Sequence, residues 1–458
     1  MGAALGGMGL LGRRPAHAAL GADYDVVIIG AGVAGMTAAR LLSLAGPGLK
    51  VMVLEARDRV GGRLLTLHDK KVLPSHGIEV GAQVIHGSGA PTWELIKRYQ
   101  LPTRSRNHLG EPARHFLDGS PVPDGATFDK LLQKVGQAMG SREGPDTSFR
   151  EFVDALDLTH RERELAFSES LSWSAEPDRV SAMATVADGQ LWDEWHDGDF
   201  QVVGGYSALA ERMAEDIEGR IQLSSEVKDI FWRQGLVGVR YRYGGITTAL
   251  TCRQLVLTVP IGVLQGGQIS IQPAVPAATQ RAIDSLEMGQ VVVVPMLFSE
   301  PLWQEGQLPG VWKDPSGRRQ FWLPHPVGQG GNGVSGWFVG AAARELSDAG
   351  PEAGMAKVLQ WLEAASGRAG LADKLAWHHF QDWNRDPYTL GSYSVTRPGG
   401  HGQRAILSEP VEGTLYFAGE ATAEPPHYQT VHGAYLSGKR VAAQVASALK
   451  VPFPDTVS

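Results

Sequence analysis

One cysteine, Cys252, is all the thiol chemistry the chain possesses. An intrachain disulfide and a cysteine-based metal cluster are therefore excluded, and no metal site is expected. Nothing beside Cys252 suggests an activated thiol, so it reads as structural. A basic excess is also missing: 42 Lys and Arg stand against 49 Asp and Glu, a net charge of −7. Nucleic acid is thus not an expected partner, because binding it requires clustered cations to neutralise phosphates. No apolar run approaches the roughly 20 residues of a membrane-spanning helix. Internal repeats are absent. What remains is ordinary for a water-soluble globular chain, with 43% hydrophobic and 20% charged residues. At 458 residues the chain exceeds one compact core, so two domains are expected, sequential or interlocked.

The first twenty residues, MGAALGGMGLLGRRPAHAAL, stand apart. Ala16–His17–Ala18 resembles a small-residue cleavage box, but a basic segment before the apolar run is missing, and Arg13 and Arg14 follow it. Residues 1–21 read either as a truncated secretory signal or as a disordered tail, leaving export and a cytoplasmic location both open.

DYDVVIIGAGVAGMTAARLLSLAG carries the strongest local signal. Val26–Ile29 is a short apolar run with β-branched residues, which predicts a buried strand. Gly30, Gly32 and Gly35 follow as G-x-G-x-x-G, and Val33, Ala34 and their successors have helical apolar spacing up to Gly46. Gly30 permits a tight turn, Gly32 lets backbone approach a pyrophosphate, and Gly35 lets helix and strand pack closely. A second strand ends at Glu55, an acid suited to the hydroxyls of an adenosine ribose. Together these predict a dinucleotide site.

Immediately after the acid comes E-A-R-x-R-x-G-G-R, covering Glu55, Ala56, Arg57, Gly62 and Arg63. This run resembles the FAD proteins of the flavin amine oxidase superfamily, the monoamine oxidases, polyamine oxidases and histone lysine demethylases. The resemblance continues through EVGAQVIHG (Glu79 to Gly87), VVGGYSALAERMAEDIEGRIQLSSEVKDI (Val202 to Ile230), LVLTVPIGVLQ (Leu255 to Gln265), DWNRDPYTLGSYS (Asp382 to Ser394) and LYFAGEATAEPPHYQTVHGAYLSGKRVAAQVA (Leu415 to Ala446). It implies an α/β fold in which a Rossmann-type FAD-binding domain (22–86, 201–287 and 405–450) is interleaved with an α+β substrate-binding domain (87–200 and 288–404). The first insertion reads as mostly helical. The second is expected to supply a sheet from VVVVPMLF and GVSGWFVGAAA and a helix around Lys357 to Ala364.

The same resemblance assigns roles. Gly81, Ala82, Gln83 and Val84 would run under the flavin, and the backbone of Val227 would meet the adenine. Trp383, Gly419, Glu420, Thr430 and Val431 complete the expected FAD contacts, with Glu420 near the ribityl chain or a phosphate-linked water. Tyr393 matches the aromatic wall beside the flavin. Thr430 falls where monoamine oxidases carry a second tyrosine, which leaves the cage half open for a bulkier amine. Ser392 stands where those enzymes attach FAD through cysteine, so noncovalent FAD is expected. His86 lies where polyamine oxidases meet a second amine, or is a hydrogen-bonded structural histidine. Trp192, Trp195 and His196 could line a substrate tunnel or sit in a solvated loop. Arg344 is a candidate for a substrate carboxylate.

Flavin amine oxidation needs an amine held over the ring with water excluded, and aromatic walls suit this. The implied reaction turns a small-molecule amine into an imine, which hydrolyses to an aldehyde or ketone, with oxygen or another acceptor taking the electrons. Alternatives are oxidation of an amino acid or amide, a biosynthetic desaturation with weak oxygen reactivity, or a non-catalytic flavoprotein scaffold. The long helical hairpin of the demethylase branch is not visible, so work on chromatin is not expected. One departure stands out. In most of the family the strand after "MG" reads G-x-x-x-K, and the lysine holds a water at the flavin. Here GQVVVV places Val293 there, and a cation that would favour electron transfer to oxygen is missing.

Overall fold

The opening strand, Tyr24–Ile29, lies at the centre of an eight-stranded sheet, parallel to Val51–Leu54 on one side and to Ile246–Leu257 on the other. The structure is a computed structural model that describes residues 22–69, 77–105, 114–117, 120–121, 125–140, 144–171, 174–186, 197–302, 310–314, 316–322 and 332–453. Val26, Val27 and Ile28 are wholly buried because both faces of the sheet are covered, which explains an apolar run without alternation. Beyond Ile246–Leu257 the sheet becomes an antiparallel meander through Leu236–Tyr243 and Ser225–Arg233. Leu415–Phe417 returns to pair in parallel with the end of Ile246–Leu257. This sheet thus draws its strands from three separated stretches, 24–54, 221–272 and 415–417.

Helix Val33–Ala45 packs against the last helix, Val431–Leu449. Gly438 allows this approach, and Gly35 lets the first helix close onto the turn at Gly30. A Cβ on Gly35 would lie 2.0 Å from the Gly30 carbonyl oxygen, and one on Gly438 would lie 2.5 Å from that of Ala34. Cys252 is buried in the core beneath the meander, where burial pushes its thiol up to about 12, in keeping with a structural role.

A second eight-stranded sheet runs in the order Leu375–His378, Val291–Phe298, Gly333–Val339, Arg319–Trp322, Gly310–Lys313, Arg114–Leu117 and Ser120–Pro121, with Gln381–Asp382 also pairing with Val291–Phe298. Every residue of Val291–Phe298 is buried. Val292, Val294, Met296 and Phe298 pack with Leu346, Val358 and Leu362 of the helix Gly340–Ser366. The opposite face, carrying Val291 and Val293, packs with Leu171, Val339 and Trp383. GVSGWFVGAAA is not strand throughout. The strand ends at Val339, and Gly340 (φ 55°) opens the helix. A kink at Gly350 (φ 77°) precedes Pro351, whose ring lacks an N–H for the helical ladder.

The first insertion carries the helices Thr92–Arg98, Gly125–Gly140, Phe149–Asp154 and His160–Ser170. Its short strands are not incidental, since Arg114–Leu117 pairs with Gly310–Lys313 and joins the second sheet.

Candidate active site

A cavity of about 850 Å³ is bounded by residues from both sheets and from the helical insertion. Its first end is built on the opening strand. Gly30 (φ +107°) turns the chain beneath Thr258, and Gly32, Val33 and Ala34 line the cavity at the start of the helix. No side chain caps that helix and no acid stands in its first turn. A Cβ on Gly32 would meet no atom of the protein within 4 Å, so its lack of a side chain serves something other than internal packing. An N-terminal helix dipole beside open space suits a pyrophosphate.

Glu55 ends the second strand and is 6% exposed. Its Oε2 accepts from the Ala31 N–H at 2.8 Å and its Oε1 from the Arg57 N–H at 2.9 Å. Burial raises its pKa, and those N–H bonds with the charges of Arg57 and Arg59 oppose the rise. Ala56, Arg57, Gly62 and Arg63 line the same end, as does Val227. The Arg57 guanidinium is held by Asp386 at 2.6 Å and lies 5.1 Å from the centre of the Tyr388 ring. These residues fit an adenine dinucleotide such as FAD.

Gly81, Ala82, Gln83 and Val84 carry the wall onward. Gly81 is pressed against the chain after the second strand, where a Cβ would lie 2.0 Å from the Arg63 carbonyl oxygen. Trp383 lines the cavity while its Nε1–H donates to the Val80 carbonyl at 2.7 Å. Gly419 and Glu420 also line it. Glu420 is 4% exposed and accepts from Arg63, the Ser394 N–H and Oγ, and the Gln429 N–H. Burial pushes its carboxyl up, but Arg63 and Arg404 outweigh this and hold it below the usual range. Glu420 thus ties together the segments around Arg63, Ser394 and Gln429.

At the far end, Tyr393, Thr430, Val431, His86, Val291, Trp322 and Trp337 come together, with Val135, Phe149, Ala166 and Val186 from the helical insertion. Burial raises the Tyr393 phenol to about 12. Thr430 is the N-cap of the last helix: its Oγ1 accepts from the Gly433 N–H at 2.9 Å and donates to the His427 carbonyl at 2.5 Å. His86 pairs through Nδ1 with Asp199 at 2.9 Å. His432, just inside the last helix, is driven down to about 3 by burial, with His427 and His86 adding to the fall.

Two expected residues lie elsewhere. Arg344 is off the cavity wall: it sits at the helix start, half exposed, with Nη2 3.5 Å from Glu176. Val293 points the right way but does not reach the wall. It is fully buried in the cluster with Trp383 and Leu171, and Val291, two residues earlier on the same face, lines the cavity instead. Trp192, Trp195 and His196 fall outside the described residues. Sequence reasoning missed Val291, Lys313, Gln320, Trp322 and Trp337, which line the cavity from the second sheet. Their only local signal is the period-two alternation of each strand, which does not say which face is turned to a cavity.

The model of the family described as "Flavin containing amine oxidoreductase" matches residues 33–446. The chain belongs to that family. Membership implies FAD as the cofactor, which the nucleotide end of the cavity fits, and the mixed α/β architecture described above. It is 31% identical over 454 residues to lysine-specific histone demethylase 1 homolog 2 of Arabidopsis thaliana, covering 93% of this chain and 59% of that protein. It is 28% identical to human lysine-specific histone demethylase 2, covering 93% of this chain and 54% of that one. The chain thus spans a little over half the length of these relatives. Among solved structures, putrescine oxidase bound to putrescine matches 93% of the chain and 99% of its own, with a TM-score of 0.75 and 22% identity. Cyclohexylamine oxidase from Brevibacterium oxydans matches 93% and 100%, with a TM-score of 0.76 and 21% identity. These two likenesses show the fold. Among the described residues no helix is long and apolar enough to cross a membrane.

Proposed function

We propose that this protein oxidises a primary or secondary amine with a bulky apolar body to an imine, which water then hydrolyses to an aldehyde or ketone. The observation that carries this reading is the continuity of one cavity, from the glycine turn and Glu55 at one end to Tyr393, Trp322 and Trp337 at the other. FAD, when bound, supplies the acceptor for the hydride equivalent from the carbon beside nitrogen. Tyr393 and the tryptophans position the neutral amine and exclude water. Thr430 keeps the cage open on the opposite side, because its hydroxyl caps a helix and its short side chain leaves room. A Tyr393 phenol raised to about 12 stays neutral through the working range and serves as a dipole and wall.

Noncovalent FAD belongs to the same proposal. Ser392 stands before Tyr393, and its Oγ donates to the Gly289 carbonyl at 3.0 Å. The apolar packing of Val291 and Val293 further supports slow reoxidation by oxygen and electron transfer to another acceptor.

The deciding experiment is anaerobic titration of the holoprotein with a panel of arylalkyl- and cycloalkylamines, diamines and amino acids. Bleaching of the flavin absorbance by the apolar amines is expected. Bleaching by amino acids or an unsaturated precursor alone would overturn the reading.

A further inference from the structure

We propose that loop 383–391 is a strap over the nucleotide end of the cavity, latched by the Arg57–Asp386 ion pair, and that this latch sets how long FAD stays bound. The inference rests on the noncovalent FAD proposed above.

The loop stands on a closed base. The Gly391 N–H donates to the Trp383 carbonyl at 2.8 Å, so residues 384–390 project as one compact turn. That base is fixed to the second sheet. The Trp383 N–H donates to the Val291 carbonyl at 3.3 Å, and Asn384 Oδ1 accepts from the Val291 N–H at 2.9 Å. The tip is organised around Asp386. Its Oδ1 accepts from the Tyr388 N–H at 2.9 Å, and its carbonyl accepts from the N–H groups of Thr389 and Leu390 at 3.2 and 2.9 Å. Asp386 and Tyr388 are thereby presented together.

What they meet belongs to the first sheet. Arg57 follows the strand Val51–Leu54, donates from Nη2 to Asp386 at 2.6 Å, and lies 5.1 Å from the centre of the Tyr388 ring. Arg57, Tyr388 and Thr389 all line the cavity. The latch therefore joins a loop held by one sheet to a turn held by the other, across the cavity wall. Its two side chains are only 13% and 12% exposed, so parting them would strand a poorly solvated charge on each side. A bare carboxylate at this end would also repel a pyrophosphate. Paired with Arg57, Asp386 closes the strap without net charge.

Release of FAD from the holoprotein after dilution, followed by the fluorescence of the freed flavin, tests this without turnover. Asp386→Asn removes the charge and keeps an oxygen for the Tyr388 N–H, so the tip of the loop is preserved. It is expected to release FAD about tenfold or more faster than the wild type. In an Arg57→Gln background the same change is expected to add nothing, because its partner is already gone. Unchanged or slower release in Asp386→Asn overturns the proposal. So does an increase that persists in full in the Arg57→Gln background, which would give Asp386 a structural role alone. If Asp386→Asn does not fold, Tyr388→Leu takes its place, with release about two- to fivefold faster and again no addition to Arg57→Gln. Acid precipitation separates the two readings. Flavin retained on the precipitate would refute noncovalent binding and the latch with it, whereas flavin freed by acid, with release unchanged in Asp386→Asn, would refute the latch alone.

Discussion

The Ser174 hydroxyl donates to the Tyr393 phenol oxygen at 2.5 Å, joining residues 219 positions apart at the cavity wall. Ser174 is fully buried and sits at φ 61°, a left-handed conformation uncommon for serine. Its carbonyl accepts from the Gln290 N–H at 2.8 Å, at the start of the strand that carries Val291 and Val293. One residue thus anchors both the aromatic wall and the apolar strand beside it. Ser174→Ala is expected to lower kcat/KM by about tenfold, roughly the 1.4 kcal/mol of one buried hydrogen bond to an oriented group. In a cycle with Tyr393→Phe the losses should be strongly non-additive. Additive losses would show that the hydroxyl supports folding alone; Ser174→Gly, which relieves the backbone, serves as the control.

Oxygen reactivity is the second expectation. Val293→Lys places a cation on the face that holds Trp383 and Val291. Air reoxidation of the reduced holoprotein should be slow in the wild type and faster in the variant, as measured by stopped-flow recovery of flavin absorbance. Rapid reoxidation of the wild type, unchanged by the substitution, would refute this. Burying the ammonium costs stability, so the melting temperature is recorded in parallel.

Thr430 offers a third test, one of structure against chemistry. Because it caps the last helix, Thr430→Ala is expected to cost about 1 kcal/mol of stability, while Thr430→Ser should be close to neutral. Thr430→Tyr, which would close the cage, loses the cap as well, so tighter selection for small amines should come with a lower melting temperature. Denaturant titration and a size series of amines read the two effects separately.

A pH dependence follows from Glu79. It is buried, accepts from the Tyr206 N–H at 2.6 Å and the Thr66 hydroxyl at 2.8 Å, and is raised by burial from 4.5 to about 7, with both hydrogen bonds opposing the rise. Between those values the native state holds a proton that the unfolded chain has released. Its contribution to stability is therefore full below pH 4.5 and lost as pH rises through 7. Glu79→Gln should flatten that part of the pH–stability curve. An unchanged curve would show that Glu79 ionises normally.

The nucleotide end was legible in the chain because its signals are local. A strand, three glycines, a helix and Glu55 lie within 32 residues, and each is demanded by one turn of backbone. Tyr393 and Thr430 were placed by the resemblance of their short motifs. Arg344 misled because a lone cation in an unpatterned segment says nothing of direction: the strand ends one residue before Gly340, and the helix it opens turns Arg344 toward Glu176.

Alone, the sequence determined the dinucleotide turn, the family and the valine where a lysine is usual. Tertiary structure decided the far wall of the cavity. Lys313, Gln320 and Trp337 come from three strands, and only hydrogen-bond register aligns them along the cavity. A local pattern can set which residues alternate along a strand. Which face meets the cavity, and which neighbour stands opposite, is set by pairing between distant segments, where burial on both sides of Val291–Phe298 erases the polar alternation that would have revealed it.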